Sequence, residues 1–292
     1  MSKYKGIIFA ILSSIAYAVM PVFAKIAYNN GSNPTTTLFF RFLITAIVLF
    51  LYAFIKKENI KISKKQFLIL FFTGFIGYTL TTELLFLSYD YLSIGLATTL
   101  HYIYPAVVCI LSYFILKEKI TWYKIISLCL SLLGVYSLIA FENETLNTFG
   151  IIIALLSGIC YATNVIGLSL KSIKNLSSIV VTMFISLGAS AGLLLYGFIT
   201  KDLIFTFNGQ IIFSYVGLSI ISTIFSILFL IYAIELIGST SASILGTFEA
   251  VLSIIFGIIF LNESISISLI CGCALIVTST IVLAKDKSIN NH

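Results

Sequence analysis

Ten long apolar runs follow one another along this chain, separated by short polar segments. A helix that crosses a bilayer needs about 20 apolar residues, and the runs have this length. Alternation with a period of two is absent, and the runs are about twice as long as the strands of a membrane barrel. We therefore predict an all-α polytopic membrane protein with ten transmembrane helices, over residues 6–28, 35–55, 66–87, 95–116, 121–141, 149–170, 177–200, 209–234, 241–261 and 267–284.

Composition agrees with a membrane protein and excludes most other classes. The 292 residues are 60% hydrophobic and only 10% charged, whereas about 25% of the residues of a soluble domain are charged. Ten spanning helices occupy roughly 200 residues, so we expect no sizeable soluble domain here. The five cysteines lie inside apolar runs and show no metal-type spacing with the two histidines. We therefore expect no metal, no cofactor and no structural disulfide.

The distribution of lysine and arginine predicts the topology, because basic residues are enriched on the cytoplasmic side of a membrane. With the N-terminus in the cytoplasm, 14 of the 17 basic residues fall on that side and both termini are cytoplasmic. The net charge of +6 thus reflects topology and does not indicate nucleic acid. The 14 residues are Lys3, Lys5, Lys56, Lys57, Lys61, Lys64, Lys65, Lys117, Lys119, Lys124, Lys171, Lys174, Lys285 and Lys287.

The two halves of the chain are related by an internal repeat. The segment GIIFAILSSIAYA at 6–18 matches GIIIALLSGICYA at 150–162, with Gly, Ser and Tyr in register. A second match, shifted by 145 residues, pairs Pro105 with Ala250 and Glu118 with Glu263. We predict two repeats, 1–145 and 146–292, of five helices each. Since five is odd, the second repeat enters the membrane from the opposite side, an inverted arrangement typical of secondary transporters.

In these features the chain resembles the EamA type of the drug/metabolite transporter superfamily. The resemblance covers the whole chain and rests on the two first-helix segments, on Arg41-Phe42, on the HYIYP segment at 101–105, and on endings similar to LEPV…LGE. Those endings read YPAV…LKE at 104–118 and FEAV…LNE at 248–263, where Ala250 replaces the usual Pro. The resemblance implies a permease of the bacterial cytoplasmic membrane that carries small polar metabolites or amino acids, often outward.

Polar residues at the middle of helices four and nine are the first candidates for a substrate site, because ionisable groups inside a bilayer are costly and mark function. Tyr104 and Glu249 correspond across the repeat and are expected to face one another. Pro105 kinks helix four and leaves the carbonyl of His101 partly free, which a helix lining a cavity tolerates. We predict that His101, Tyr104 and Glu249 bind substrate. The alternative is that they form hydrogen bonds between packed helices.

Helices one and six supply further candidates near the middle of the membrane. Tyr17 and Tyr161 are equivalent, and Asn164 lies about one turn after Tyr161. Aromatic rings with hydroxyl groups suit a site for an organic molecule. Packing of these tyrosines is the alternative. We expect small residues on helix nine beside Glu249, which allow close helix contact or leave space for a ligand.

Three charged residues, Lys25, Arg41 and Glu83, fall in the outer half of their helices. Glu83 is expected to pair with Arg41 or Lys25, because pairing reduces the cost of a charge in the membrane. The pair is either structural or an outer gate, and Glu83 is also a candidate for substrate contact. We expect Glu118 and Glu263 at helix ends to be structural, and we expect Gly188 and Gly192 to allow close helix packing.

The function predicted from these observations is secondary transport of a small polar metabolite or an amino acid, in the direction of efflux, by alternating access. No P-loop, HExxH, paired CxxC or GxSxG motif is present, so neither ATP hydrolysis nor an enzyme is expected. Protons are a candidate coupling ion through Glu249, Glu83 or His101. The alternatives are a proton-independent uniporter or exchanger for a nucleotide-like or other organic metabolite, and a channel-like facilitator. A monomer and a homodimer both remain open.

Overall fold

A computed structural model of the protein describes residues 2–88, 90–92, 94–139, 147–173, 175–261 and 267–286. Lys174, Glu263, Lys287 and the boundary between residues 145 and 146 lie outside the described residues. The described part is nearly all helical, without strands, and forms ten helical stretches. They are α1 (Ser2–Ala18 and Met20–Asn29), α2 (Pro34–Ile55), α3 (Lys64–Phe72, Thr73–Tyr78 and Thr79–Ser88), α4 (Ile94–His101, Tyr104–Leu111 and Ser112–Leu116), α5 (Trp122–Ile139), α6 (Thr148–Leu168), α7 (Ser178–Thr200), α8 (Gly209–Ser219, Ile220–Phe225 and Ser226–Ile237), α9 (Ser239–Gly246 and Phe248–Leu261) and α10 (Ile267–Ala284).

The predicted all-α polytopic membrane fold is confirmed, and the ten stretches coincide with the ten predicted runs. Six described helical segments are long and apolar enough to cross a bilayer, and three shorter ones are apolar. Side-chain caps fix several helix starts. Asn33 accepts a hydrogen bond from the backbone N–H of Thr36 at 2.9 Å, with Pro34 in the first helical position. Ser63 and Gln66 form a reciprocal capping box at the start of α3.

The packing of the helices shows how the two repeats are related. Helices α2 and α7, α4 and α9, and α5 and α10 are equivalent pairs, and each pair packs together. The pair α1–α8 corresponds to the pair α6–α3, as a two-fold axis requires. Gly197, near the end of α7, lies against Thr35 at the start of α2, so these equivalent helices run antiparallel. The repeats are therefore inverted with respect to each other, as predicted.

Two pairs of equivalent helices are irregular at corresponding places. Helices α3 and α8 each contain a π-helical segment, Thr73–Tyr78 and Ile220–Phe225. Helices α4 and α9 are each interrupted near the middle, at 102–103 and at Thr247. Pro105 explains the first interruption, because proline cannot donate the backbone hydrogen bond. At the second, the hydroxyl of Thr247 donates to the carbonyl of Ile244 at 2.7 Å. Irregular backbone inside a membrane protein is tolerated around a cavity.

Gly188 and Gly192 of α7 allow a close contact within the chain. A Cβ atom on Gly188 would lie 2.2 Å from the carbonyl oxygen of Phe71, and one on Gly192 would lie 2.3 Å from the hydroxyl oxygen of Thr79. Both neighbours belong to α3, so the backbones of α3 and α7 approach as closely as glycine permits. This packing accounts for the glycine pair without a second chain.

Candidate functional site

A small cavity of about 20 Å³ lies between the two repeats, at mid-depth of the helices. A cavity of this size holds about one water molecule. Its walls come from α1 and α4 of the first repeat and from α6, α8 and α9 of the second. The lining residues are Ala10, Ser13, Ser14, Tyr17, Tyr104, Tyr161, Val165, Leu230, Ala242, Ser243, Gly246 and Glu249.

Four of the predicted site residues meet in this cavity, and they form two equivalent pairs. Tyr17 and Tyr161 come from the matching first helices of the repeats, and Tyr104 and Glu249 come from the matching fourth helices. The interruptions of α4 and α9 place Tyr104 and Glu249 at the start of a new helical segment. Tyr104 and Glu249, which were expected to face one another, both line this cavity.

Aromatic rings form one wall of the cavity. The rings of Tyr104 and Tyr161 meet edge to face, with centroids 4.8 Å apart and planes at 88°. The hydroxyl of Tyr104 donates to the carbonyl of Ser243 at 3.4 Å. A Cβ atom on Gly246 would lie only 2.7 Å from this hydroxyl oxygen, so glycine is needed where α9 passes the ring.

Glu249 is the charged residue among those that line the cavity. Within the part of the chain that the structure describes, its carboxylate makes no hydrogen bond and has no cation within 4 Å. Arg41 interacts with it electrostatically at longer range. Among the described residues, the acid on the cavity wall therefore has no contacting hydrogen-bond donor or cation.

Arg41 lies outside the cavity wall and is bound to α1 and α8. Its Nε donates to the hydroxyl of Thr223 at 2.6 Å, and one Nη donates to the carbonyl of Ser222 at 2.7 Å. Its other Nη contacts the sulfur of Met20 at 2.8 Å. Thr223 and Ser222 belong to the π-helical segment of α8. Arg41, which is 4% exposed, thus holds this segment against α1 and α2.

Tyr17 lines the cavity and also interacts with two buried residues next to it, Arg41 and Tyr78. It interacts with Arg41, Glu249 and Tyr78, and the hydroxyl oxygens of Tyr17 and Tyr78 are both buried without a hydrogen-bond partner of ordinary geometry. Buried hydroxyl groups normally have a hydrogen-bond partner, so the hydroxyls of Tyr17 and Tyr78 are each able to form a further hydrogen bond next to the cavity.

His101 and Asn164 lie behind the cavity wall. The Nδ1 of His101 shares a hydrogen bond of 2.8 Å with the hydroxyl of Ser157 on α6, which matches the alternative stated for this residue. Its ring supports those of Tyr161 and Tyr104, with centroids 5.6 and 5.9 Å away. Asn164 is 1% exposed and packs against Gly77 in the π-helical segment of α3. Neither side chain lines the cavity.

Glu83 and Lys25 also lie away from the cavity. Glu83 is next to Tyr196 of α7, and Lys25 is exposed. Over the described residues the ion pair within 4 Å joins Lys124 and Glu118, so Glu83 is not paired with Arg41 or Lys25 in this state. An outer gate formed by Arg41 and Glu83 stays a prediction.

Three serines of the cavity wall were not among the predicted site residues. Ser13 donates to the carbonyl of Ser226 at 2.8 Å, Ser14 donates to the carbonyl of Ala10 at 3.1 Å, and Ser243 carries the carbonyl bound by Tyr104. The match between the first helices of the two repeats could have indicated Ser13, because it pairs Ser13 with Ser157, the partner of His101. Each of these serines connects the first helix of its repeat to another helix: Ser13 binds α8 through Ser226, and Ser157 binds α4 through His101.

A second and larger cavity, of about 160 Å³, opens where lysine-bearing loops meet. We call this side of the protein the lysine-rich face; the loops at 56–63, 117–121 and 169–173 lie there. Leu168, Ile231 and Ile234 lie at the inner end of this cavity. The small cavity is lined by Val165, three residues before Leu168 on α6, and by Leu230, which directly precedes Ile231 on α8. Less than one helical turn, about 4.5 Å on α6, therefore separates the two cavities along these helices.

On the opposite face, the loop at 30–33 contacts the segment at 201–208. The side-chain amide of Asn33 donates to the carbonyl of Asp202, and Thr206 donates to the carbonyl of Gly31 at 3.1 Å. Phe40 stacks on Tyr215 with a centroid separation of 5.0 Å. These contacts join the ends of α1 and α2 to α7 and α8 on the face opposite to the lysine-rich loops.

Glu118 joins α4 to the start of α9 on the lysine-rich face. Its carboxylate accepts hydrogen bonds from the backbone N–H and the hydroxyl of Ser239, at 2.8 and 2.7 Å, and lies 3.5 Å from Lys124. Burial alone would raise the pKa of this carboxyl, but the hydrogen bonds from Ser239 and the charge of Lys124 outweigh it and lower the pKa. A carboxylate at a helix N-terminus is stabilising, in keeping with the structural role expected for Glu118.

Comparison with known proteins agrees with this architecture. Residues 4–140 and 148–285 each match the EamA-like transporter family. The chain belongs to this family. It is 26% identical to an uncharacterized transporter of Clostridium kluyveri, over 98% of this chain and 96% of that protein. It is 27% identical to the uncharacterized transporter YoaV of Bacillus subtilis, over 91% and 93%.

A crystal structure of a protein with 15% sequence identity has the same fold, with a TM-score of 0.79 over 95% of both chains. The resemblance to drug/metabolite transporters inferred from sequence is confirmed by the family. The EamA-like chain is a multi-pass membrane protein, and its relatives are named as transporters.

Proposed function

We propose that this EamA-like protein is a secondary transporter that moves a small polar metabolite or an amino acid out of the cell by alternating access. The observation that carries the proposal is the cavity at the interface of the two inverted repeats, with polar groups contributed by both. A central site between repeats that move relative to each other is the arrangement through which secondary transporters expose a ligand to alternate sides.

The lysine-rich face is taken as the cytoplasmic face of a bacterial membrane, because basic loops are retained there. The larger cavity then opens to the cytoplasm, and cargo enters through it. Leu168, Ile231 and Ile234 form an apolar layer between this entrance and the site. Displacement of α6 relative to α8 by a few ångströms joins the two cavities, and release follows when the contacts of Asn33 and Phe40 on the other face open.

Glu249 is the group best placed to exchange a proton for cargo. It lies in the site, and its carboxylate has no hydrogen bond or contacting cation among the described residues. A carboxylate in a membrane is stabilised either by a proton or by a positive partner. Competition between these two states couples cargo to the proton gradient.

A flux assay in proteoliposomes tests the proposal. Purified protein is reconstituted, and uptake and efflux are screened with a set of radiolabelled amino acids and polar metabolites, with and without an imposed pH gradient. We expect saturable flux, stimulation by the same compound on the opposite side, and loss of both in Glu249→Gln. Glu58→Gln, which changes a carboxyl in the loop at 56–63, is the matched control.

The outcomes separate the alternatives. Flux without stimulation from the opposite side contradicts alternating access and favours a channel-like facilitator. Flux that ignores the pH gradient contradicts proton coupling and favours a uniporter or exchanger. Flux of every compound at the rate of protein-free liposomes contradicts transport.

A further inference from the structure

We infer that the cargo of the central cavity carries a positively charged amine, held by the carboxylate of Glu249 beside the rings of Tyr104 and Tyr161. The inference rests on the proposed function and specifies the chemical class of cargo. It begins from the groups on the cavity wall. Apart from Glu249, the polar side chains there are the hydroxyls of three serines and three tyrosines, and neither lysine nor arginine lines it.

The first argument is that, among the described residues, no cation or hydrogen-bond donor contacts the carboxylate of Glu249. The nearest cation in electrostatic contact is Arg41, and its three named donor contacts go to Thr223, Ser222 and Met20. A buried carboxylate is destabilised unless a cation or hydrogen-bond donors compensate the lost water. A protonated amine in the cavity supplies both at once, because it is cationic and carries N–H donors.

The second argument is the aromatic surface next to the carboxylate. The planes of Tyr104 and Tyr161 are perpendicular, so ring faces point in two directions around the same corner. Aromatic faces attract cations, and groups of such rings bind ammonium ligands. His101 holds both rings from behind through its hydrogen bond to Ser157, so the corner is supported by α6 as well as α4.

The third argument is that the cavity disfavours a negatively charged cargo. A cargo carboxylate would lie near Glu249, while the guanidinium of Arg41 is outside the lining and already bound to α8. Like charges in a low-dielectric site repel strongly. The site thus favours an amine over the corresponding amino acid, and an amino acid over an anion.

Binding of matched probes to the purified protein tests the charge class without measuring transport. Three amines are compared with uncharged alcohols of similar shape: phenethylamine with 2-phenylethanol, putrescine with 1,4-butanediol, and choline with 3,3-dimethylbutanol. Phenylalanine and 3-phenylpropionate complete the aromatic series. The melting temperature in detergent near neutral pH is recorded as a function of probe concentration.

We expect at least one amine to raise the melting temperature more than its alcohol does, with phenylalanine weaker than phenethylamine and 3-phenylpropionate inactive. Glu249→Gln should weaken the amine by about tenfold or more, as expected for loss of a charged hydrogen bond. Tyr161→Leu should weaken it less, and Glu58→Gln should leave it unchanged.

The inference is overturned if no amine exceeds its alcohol, if phenylalanine or 3-phenylpropionate binds best, or if the amine effect survives Glu249→Gln. The proposal of transport and the proposal of an amine cargo can be refuted separately. Flux of a carboxylate-bearing metabolite without amine binding retains the transporter and rejects the amine, whereas amine binding without any flux retains the site and rejects transport.

Discussion

The ring of Tyr104 meets the ring of Tyr161 edge to face, with centroids 4.8 Å apart, and this contact joins the two repeats at the central cavity. The two tyrosines come from different positions in the repeat, one from a fourth helix and one from a first helix. Movement of α4 relative to α6 must therefore change the shape of the cavity. The contact couples the position of the repeats to the space available for a ligand.

Gly246→Ala should reduce transport by obstructing Tyr104. The added methyl group would lie 2.7 Å from the tyrosine hydroxyl and force the ring to shift, and overpacking of this kind costs about 1–3 kcal/mol. We expect severalfold slower flux in proteoliposomes. Adding Tyr104→Phe should restore part of the stability lost by Gly246→Ala, because it removes the atom that clashes.

Gly209→Ala provides the control for that experiment, since a Cβ atom there meets nothing within 4 Å. Equal loss of flux in both glycine variants would contradict a specific role of the Tyr104 contact.

Arg41→Ala should destabilise the protein by disconnecting α2 from the π-helical segment of α8. The substitution removes the hydrogen bonds that Arg41 donates to the carbonyl of Ser222 and the hydroxyl of Thr223, and a hydrogen bond from a charged group contributes about 1.5–3 kcal/mol. The temperature at which the monodisperse gel-filtration peak is lost should fall. Lys25→Gln, at an exposed basic residue of α1, should leave it unchanged.

The reactivity of a cysteine introduced at position 243 measures how well the apolar layer of Leu168, Ile231 and Ile234 separates the two cavities. In a variant without native cysteines, Ser243→Cys should react slowly with a membrane-impermeant thiol reagent, whereas Ser169→Cys in the larger cavity should react fast from the lysine-rich side. Adding Leu168→Ala should accelerate the reaction at 243, because it thins the apolar layer. Unchanged labelling in the combined variant would show that the barrier lies elsewhere.

Glu118 should make the stability of the protein depend on pH. Since its pKa in the folded protein is lowered, its contribution is fully present above the ordinary carboxyl pKa of the unfolded chain, near 4.5, and is lost as the pH falls through the lower folded value. Glu118→Gln should lower the melting temperature in detergent near neutral pH and reduce its decline on acidification. Identical pH profiles for Glu118→Gln and the native protein would contradict this.

The sequence was informative about everything set by the membrane itself. Apolar runs of spanning length predicted the ten helices, because a bilayer fixes helix length and leaves few alternatives. The shift of 145 residues led to the prediction that Tyr104 and Glu249 face one another, because equivalent positions of inverted repeats meet near their common axis, and both residues line the small cavity.

Contacts that depend on irregular backbone were harder to predict. The partners of Arg41 lie in a π-helical segment, and no spacing in the sequence marks that segment. His101 was predicted to bind substrate together with Tyr104, but its ring lies behind the cavity wall, where Nδ1 shares a hydrogen bond with the hydroxyl of Ser157. Glu83 was given a cationic partner on the basis of depth alone, and depth does not determine which side of a helix a residue occupies.

The contacts of Gly6 and Gly150 have a consequence for the transport cycle. Gly6 packs against Ile237 where α1 meets the end of α8, and Gly150 packs against Leu92 where α6 meets the chain after α3. These two joints are copies of each other on opposite sides of the membrane. The same close glycine contact is thus used once at each end of the helices, so a larger side chain at Gly6 and one at Gly150 are expected to disturb the packing on opposite sides of the membrane.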